Sequence, residues 1–439
     1  LYPTDHLITR VIFKNNSSVN LEISNNADSP IEIDRILINN KYLKTNVFKL
    51  DGRLSEKKVI PITDKELINL IINNGKESTL DISLFNKSIG TKDYKKDISK
   101  AFLINENEKN DDNNQLSFKN KLLNLENFTF LKIDNKSKQI FIPNGVYYIK
   151  KTLFIPKEYD LIVEKGTEIN FLENGAIYSN GEIYLNGSKD STIKINGKSK
   201  NNYIALFNTE NTSMFSYVEF DGLSINNLKN ISGSISTYES DIKIDNCKFK
   251  NIKSEDAINV FRSKFDIKSS SFFNIKSDAI DIDFGEGNLK NLVFSNVGND
   301  GIDVSGTNLY LKNIKMKNIS DKGLSVGEKS KLFFDNLELS NSSIGITSKD
   351  SSEIIGNNLK LNSLEIGFAA YTKKPEYYGG SITISNYEYL RKDKYSNTTK
   401  LYLLEEGSNI NINQIQLEKN SENVKDLFYG KIYGKKTVR

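Results

Sequence analysis

The chain of 439 residues has no tryptophan, one histidine and one cysteine. Each scarcity excludes something. With His6 as the lone histidine, histidine-rich metal sites and a histidine-dependent catalytic triad are ruled out for the body of the chain. Cys247 can form no internal disulfide, which leaves the redox compartment open; it stands in an alternating stretch beside Asn246, where a small buried thiol is expected. Sugar stacking, if present, falls to tyrosine in the absence of tryptophan. No apolar run is long enough for a helical membrane span. Charge of one sign is also missing. The 60 basic and 56 acidic side chains are interspersed, and a formal charge of +4 points to neither nucleic acid nor an anionic membrane surface. The chain begins at Leu1 rather than at methionine, which leaves room for a removed signal peptide or anchor.

What the sequence does have is a repeat. Ala257, Ala279, Gly301, Gly323, Gly345 and Gly367 follow one another at intervals of 22, and each precedes an apolar residue, from Ile258 to Phe368. A period in this range means one supersecondary unit stacked on itself. A few residues before each small one stands an asparagine: Asn230, Asn251, Asn274, Asn296, Asn318, Asn341 and Asn362. Asparagine tolerates the backbone of tight turns, and its amide can bond turn backbone groups and its equivalent a rung away. A second, looser ladder runs through Asn246, Ser269, Asn291, Asn313, Asn336 and Asn358. Between the ladders, segments such as 309–311 and 337–339 alternate as strands. A leucine-rich repeat would need a leucine framework and usually a helical segment. The expected fold is therefore all-β: a right-handed parallel β-helix of about 22 residues per coil, with rungs roughly 4.8 Å apart.

Three segments are expected. Residues 1–90 lack the period; stretches 7–13, 19–24, 31–38 and 80–84 alternate as strands, and Asp64 caps a helix before Leu67, giving a small β-rich, sandwich-like domain that could attach the chain to a protein partner. Residues 91–127 read as a polar linker with a mobile loop, because 105–115 contains almost nothing that could pack. The β-helix then occupies 128–430. Its opening runs from Ile140 through the Pro143-Asn144-Gly145 turn to Leu153-Phe154-Ile155-Pro156 and Gly166-Thr167. This order resembles the first coils of the pectin-lyase-like β-helix superfamily, and the resemblance extends to about residue 425. Most members of that superfamily are exported, which implies an extracellular or cell-envelope location.

The densest acidic patch lies in two adjacent coils, 277–283 and 299–303. The apolar residues after each small one must point inward, so strand alternation sends two columns outward, beside a third column at the turn before the small residue. They read Asp256, Asp278, Asp300, Lys322; Asn259, Asp281, Asp303, Ser325; and Phe261, Asp283, Ser305, Gly327. Stacked like charges destabilise a fold unless a cation or proton intervenes, so such a cluster points to a site. Aspartates that cap turns are the plainer alternative. The candidate catalytic residues are Asp278, Asp281, Asp300, Asp303 and Lys322. Asp283, Lys349 and Tyr371, the last at the start of a basic, tyrosine-rich loop, are candidates for substrate binding. Asp281, Asp283 and Asp303 form an all-oxygen set that would suit Ca2+.

The coil motifs also resemble those of polygalacturonase-like glycoside hydrolases, which carry N-T-D-G, D-D-C, G-H-G and R-I-K. The matching coils here read Lys276-Ser277-Asp278-Ala279, Asn299-Asp300-Gly301, 321–327 and Thr347-Ser348-Lys349. Asp278, Asp300 and Lys349 are kept, while Asn299, Lys322 and Thr347 replace an aspartate, a histidine and an arginine of that pattern. The resemblance implies a carbohydrate-active protein whose partner is an acidic, uronic-acid-containing polysaccharide. Hydrolysis by two carboxylates and β-elimination or epimerisation with Lys322 as base both fit. A non-catalytic surface or carbohydrate-binding protein is the alternative.

Overall fold

The computed structural model describes residues 7–14, 18–25, 30–51, 57–73, 79–88, 93–105, 125–226, 231–390 and 400–430. The chain divides near residue 120 into two compact units.

The first unit is a mixed sheet in the order β4-β3-β7-β8-β1-β2-β6. Its strands are β1 (Leu7–Lys14), β2 (Ser18–Asn25), β3 (Ile31–Ile38), β4 (Lys41–Leu43), β5 (Phe48–Leu50, paired to β3), β6 (Lys57–Ile62), β7 (Thr79–Ser88) and β8 (Lys95–Asn105). Their inward faces share one core containing Val11, Leu21, Ile33, Ile36 and Ile82. Ile33 and Ile36 are an odd step apart, and a register shift between Ile33 and Arg35 keeps both inside. Asp64 caps the helix Lys65–Asn73 as expected: its Oδ1 accepts the Glu66 and Leu67 amides at 2.8 and 3.2 Å. One expectation is corrected. The stretch 95–105, placed in the linker, is strand β8, because it supplies backbone partners to both β7 and β1. The expected mobile loop from 106 onward, and His6, lie outside the described residues.

The second unit is a parallel β-helix of about ten turns with about 23 residues per turn. Its interior runs unbroken from Ile140 to Ile412 and includes a stack of Phe220, Phe249, Phe272 and Phe294, with centroids 4.9, 4.8 and 4.8 Å apart. Those spacings equal the strand separation of a sheet, so each ring lies on its equivalent in the next rung. The small-residue column is needed for the same closeness: a Cβ on Gly323 would meet Leu339 Cδ2 at 2.2 Å and the Gly345 carbonyl at 2.8 Å. Cys247 is buried in this core, and burial pushes its thiol up to about 12.

The asparagine ladders hold, with two changes. Asn274, Asn296, Asn318 and Asn341 each donate Nδ2 to the preceding asparagine's Oδ1, at 3.2, 3.0, 2.8 and 3.3 Å. The amides thus bond one another rather than turn backbone, because backbone groups such as the Asn251 N–H already pair with the next rung. At the far end the left-handed position is Ser363, φ 57°, not Asn362. Asn230 lies outside the described residues.

Asn296 combines a left-handed backbone, φ 58°, with two ladder bonds. Asn296→Ala is expected to destabilise by about 1–2 kcal/mol and Asn296→Gly by less, since glycine restores the backbone tolerance but not the bonds. Equal melting temperatures for both variants and the parent would refute this account of the ladder.

Candidate active site

The three outward columns are in the register expected. Asp256 pairs with Asp278, Asn259 with Asp281 and Phe261 with Asp283; Asp281 then pairs with Asp303, Asp283 with Ser305, and Asp303 with Ser325. Strand alternation forces this for the second and third columns, since Ile280, Ile282, Ile302 and Val304 fill the interior between them. The columns nevertheless behave differently from one another.

In the first column the aspartates brace successive rungs. Asp278 Oδ1 accepts the Asp300 amide at 2.6 Å and Asn299 Nδ2 at 2.7 Å, and Asp300 Oδ1 accepts the Lys322 amide at 2.9 Å. These two candidates are therefore turn braces, the plainer of the sequence alternatives. Burial, then Asp300 itself, drives the Asp278 pKa upward against those bonds. Asp256 is buried above them, and burial pushes its pKa up to about 7. Lys322 is not at an edge. It is 3 % exposed, with Nζ 2.7 Å from Asp321 Oδ2 and 3.3 Å from Asp300 Oδ1. Burial favours its neutral form, but Asp300, Tyr429 and Asp321 outweigh burial and hold the pKa well above its ordinary value. This environment works against the role of base expected of Lys322.

The middle column carries the contrast that matters chemically. Asp281 is half-buried and accepts Asn259 Nδ2 at 3.2 Å. Burial, followed by Asp283, Asp256 and Asp303, raises its pKa well above the carboxylate range. Asp303, one rung on, has Lys349 Nζ at 3.6 Å. Burial opposes its ionisation too, yet Lys349, Lys322 and Lys373 outweigh burial and lower its pKa. The surroundings thus push the two neighbouring carboxyls in opposite directions, Asp281 toward its protonated form and Asp303 toward its ionised form.

Lys349 reaches back two rungs to do this. Its column passes through Gly327, where a Cβ would lie 2.8 Å from Lys349 Cε, so the missing side chain lets the lysine lean across to Ser325 Oγ at 2.8 Å and on to Asp303. At 5 % exposure Lys349 is a structural counter-ion, not a substrate ligand. Tyr371 is likewise corrected: it is fully buried, and its hydroxyl lies 3.4 Å from that of Tyr429. Of the basic loop that follows, Arg391, Lys392 and Lys394 lie outside the described residues.

Tyr429 went unnoticed in the sequence. It ends a short helix, Val424–Tyr429, whose Val424 and Phe428 are buried against Ile344, Ile366, Ala369 and Tyr371. Lys373 Nζ lies 4.9 Å and Lys322 Nζ 6.0 Å from its ring centroid. The calcium expectation does not fit: among the described residues no three acidic, histidine or cysteine side chains are grouped to hold a metal ion. Asp303 faces an ammonium instead. A cavity of about 600 Å³ lined by Asn358, Lys360, Asn386, Glu388 and Gln414 shares no residue with the acidic columns.

No protein-family profile matches the chain, and no curated protein does. Similar solved structures include the periplasmic alginate epimerase AlgG, with TM-score 0.39 and 10% identity, covering 63% of this chain and 80% of that one. The catalytic unit of a GH87 α-1,3-glucanase from Streptomyces thermodiastaticus gives 0.35 and 9%, covering 89% and 88%. Tailspike protein 3 of bacteriophage CBA120 gives 0.31 and 11%, covering 96% and 79%. Likenesses this distant carry no argument about chemistry.

The two charge states predict opposite stability effects. A raised carboxyl pKa contributes stability at acid pH that is lost as pH rises through it, so Asp281→Asn is expected to melt higher than the parent at pH 7. A lowered pKa contributes stability above the unfolded value that is lost as pH falls through the folded one, so Asp303→Asn is expected to lose about 1–3 kcal/mol at pH 7 and less at pH 3. Melting curves at both pH values check this; shifts of the same sign at pH 7 would contradict it.

Proposed function

We propose that this chain hydrolyses glycosidic bonds of a polysaccharide, with Asp281 as the general acid and the Asp303 carboxylate as base or nucleophile. The observation that carries the proposal is the pair itself: register-matched carboxyls on adjacent rungs, one whose buried, acid-rich surroundings favour the proton and one whose lysine neighbour favours the charge. Glycoside hydrolysis asks for that division, an acid to protonate the leaving oxygen and a carboxylate to activate water or attack the sugar. The Asn259 amide on Asp281 Oδ2 fixes the acid's orientation, and Lys349 keeps Asp303 charged without touching the sugar.

Elimination with Lys322 as base is set aside, since Lys322 is buried between two carboxylates. The argument for an acidic substrate weakens for the same reason: the charges of Lys322 and Lys349 are already neutralised by Asp300, Asp321 and Asp303. A polysaccharide substrate would be met outside the cytoplasm, which supports the extracellular or cell-envelope location expected from the sequence.

The test is a panel of neutral and uronic polysaccharides assayed for new reducing ends across pH. Activity is expected to need Asp303 ionised and Asp281 protonated, so the acid limb should lie below the ordinary carboxylate range and the alkaline limb well above it. Asp281→Asn should lower kcat by roughly 10²–10⁴. Release of reducing ends that neither Asp281→Asn nor Asp303→Asn diminishes would overturn the proposal. A panel that is neither cleaved nor bound would leave the non-catalytic surface protein standing.

A further inference from the structure

The middle column can be followed in unbroken register from Ala205 to Ala369. Its open stretch is short. Asn259, Asp281 and Asp303 are half-buried, whereas Ser236 before them and Ser325 and Thr347 after them are buried. Two rung steps, about 10 Å, separate the first and last open positions.

Something covers each end. Downstream, the helix Val424–Tyr429 lies across all three columns at once: its buried face meets Ile344 and Ile366, which continue the Lys322 column, Ala369 of the middle column, and Tyr371 of the third. Polar contacts pin it there, through Tyr429 to Tyr371 and to the ammonium groups of Lys322 and Lys373. Upstream, Ile225 and Ile231 pack over Tyr203 and Ala205, and the Asp256 amide is bonded to the Ser232 carbonyl at 3.3 Å.

We infer that the acid pair sits in a pocket closed at both ends along the solenoid axis, and that it takes the end of a glycan chain, cleaving from the terminus. This rests on the glycosidase reading and adds the mode of attack to it. A chain running lengthwise past Asp303 would meet Ser325, covered by the Lys349 side chain, and Thr347, both fully buried, and then the C-terminal helix packed on Ala369 and Tyr371. A chain end can enter from solvent and stop against the Phe428–Tyr429 wall. That helix is then a specificity element: it sets how much sugar fits beyond the cleaved bond.

The experiment follows product size in time, using the full chain on whichever polysaccharide of the panel yields reducing ends. Products one or two sugars long from the earliest times, with the polymer's size distribution unshifted until late, are expected. Phe428→Ala and Tyr429→Ala, each checked for an unchanged main melting transition, should lengthen the early products at least twofold, whereas Tyr429→Phe should not. Mid-length fragments from the parent at early times would overturn this inference while leaving the hydrolase reading intact, because the glycan would then cross the rungs sideways. Products that stay short in both alanine variants would overturn the role of the wall. A panel neither cleaved nor bound removes the hydrolase reading and this inference together.

Discussion

Everything in the solenoid depends on parallel, in-register stacking of one rung on the next. The backbone ladder fixes the spacing at about 4.8 Å, and each side chain then meets its equivalent from the neighbouring coil at that distance whether or not the meeting is favourable. For amides and rings it is favourable. The asparagines pass a hydrogen bond from rung to rung, and the interior phenylalanines lie nearly parallel, with interplanar angles of 17°, 4° and 7°. For carboxylates the same geometry is costly.

The acidic columns show three ways out of that cost. Asp278 and Asp300 turn toward the backbone and accept amide hydrogens from the following rung. Asp303 takes a lysine borrowed from two rungs away, through the gap at Gly327. Asp281 has neither remedy in full, and its surroundings favour the protonated form. Burial, with repulsion from Asp283, Asp256 and Asp303, therefore sets Asp281 against Asp303 within a single column, the contrast on which the proposed acid and base roles rest. A site of this kind is a product of the repeat's own geometry, modified at a few positions.

How much of this was legible in the sequence follows from which interactions obey the period. The coil repeat, the inward apolar pair and the three outward columns are all strictly periodic, so strand alternation and an interval of 22 locate them by counting. The charge states are not periodic, since they depend on which lysine reaches which carboxylate. Lys349 could have been placed by the same counting, because it follows Gly327 in the Ser305 column and a glycine there leaves room to lean. The burial of Lys322 and Tyr371 could not. Tyr371 packs on the helix Val424–Tyr429 and the Lys322 ammonium lies 6.0 Å from its Tyr429 ring, and that helix lies beyond the last repeat with no periodic signal of its own. Strand β8 was missed because its Lys- and Asp-bearing start, 95–97, has a polar composition that alternation alone does not distinguish from a linker.

The central claim is that Asp281 and Asp303, neighbours in one column, hold opposite charge states near neutral pH. Carboxyl-carbon NMR of the selectively labelled chain, titrated from acid to alkaline pH and assigned with the two asparagine variants, measures it directly. The account predicts that the Asp303 carbon titrates below the ordinary aspartate value of about 3.9 and the Asp281 carbon far above it. Two carbons titrating together near that ordinary value would contradict it.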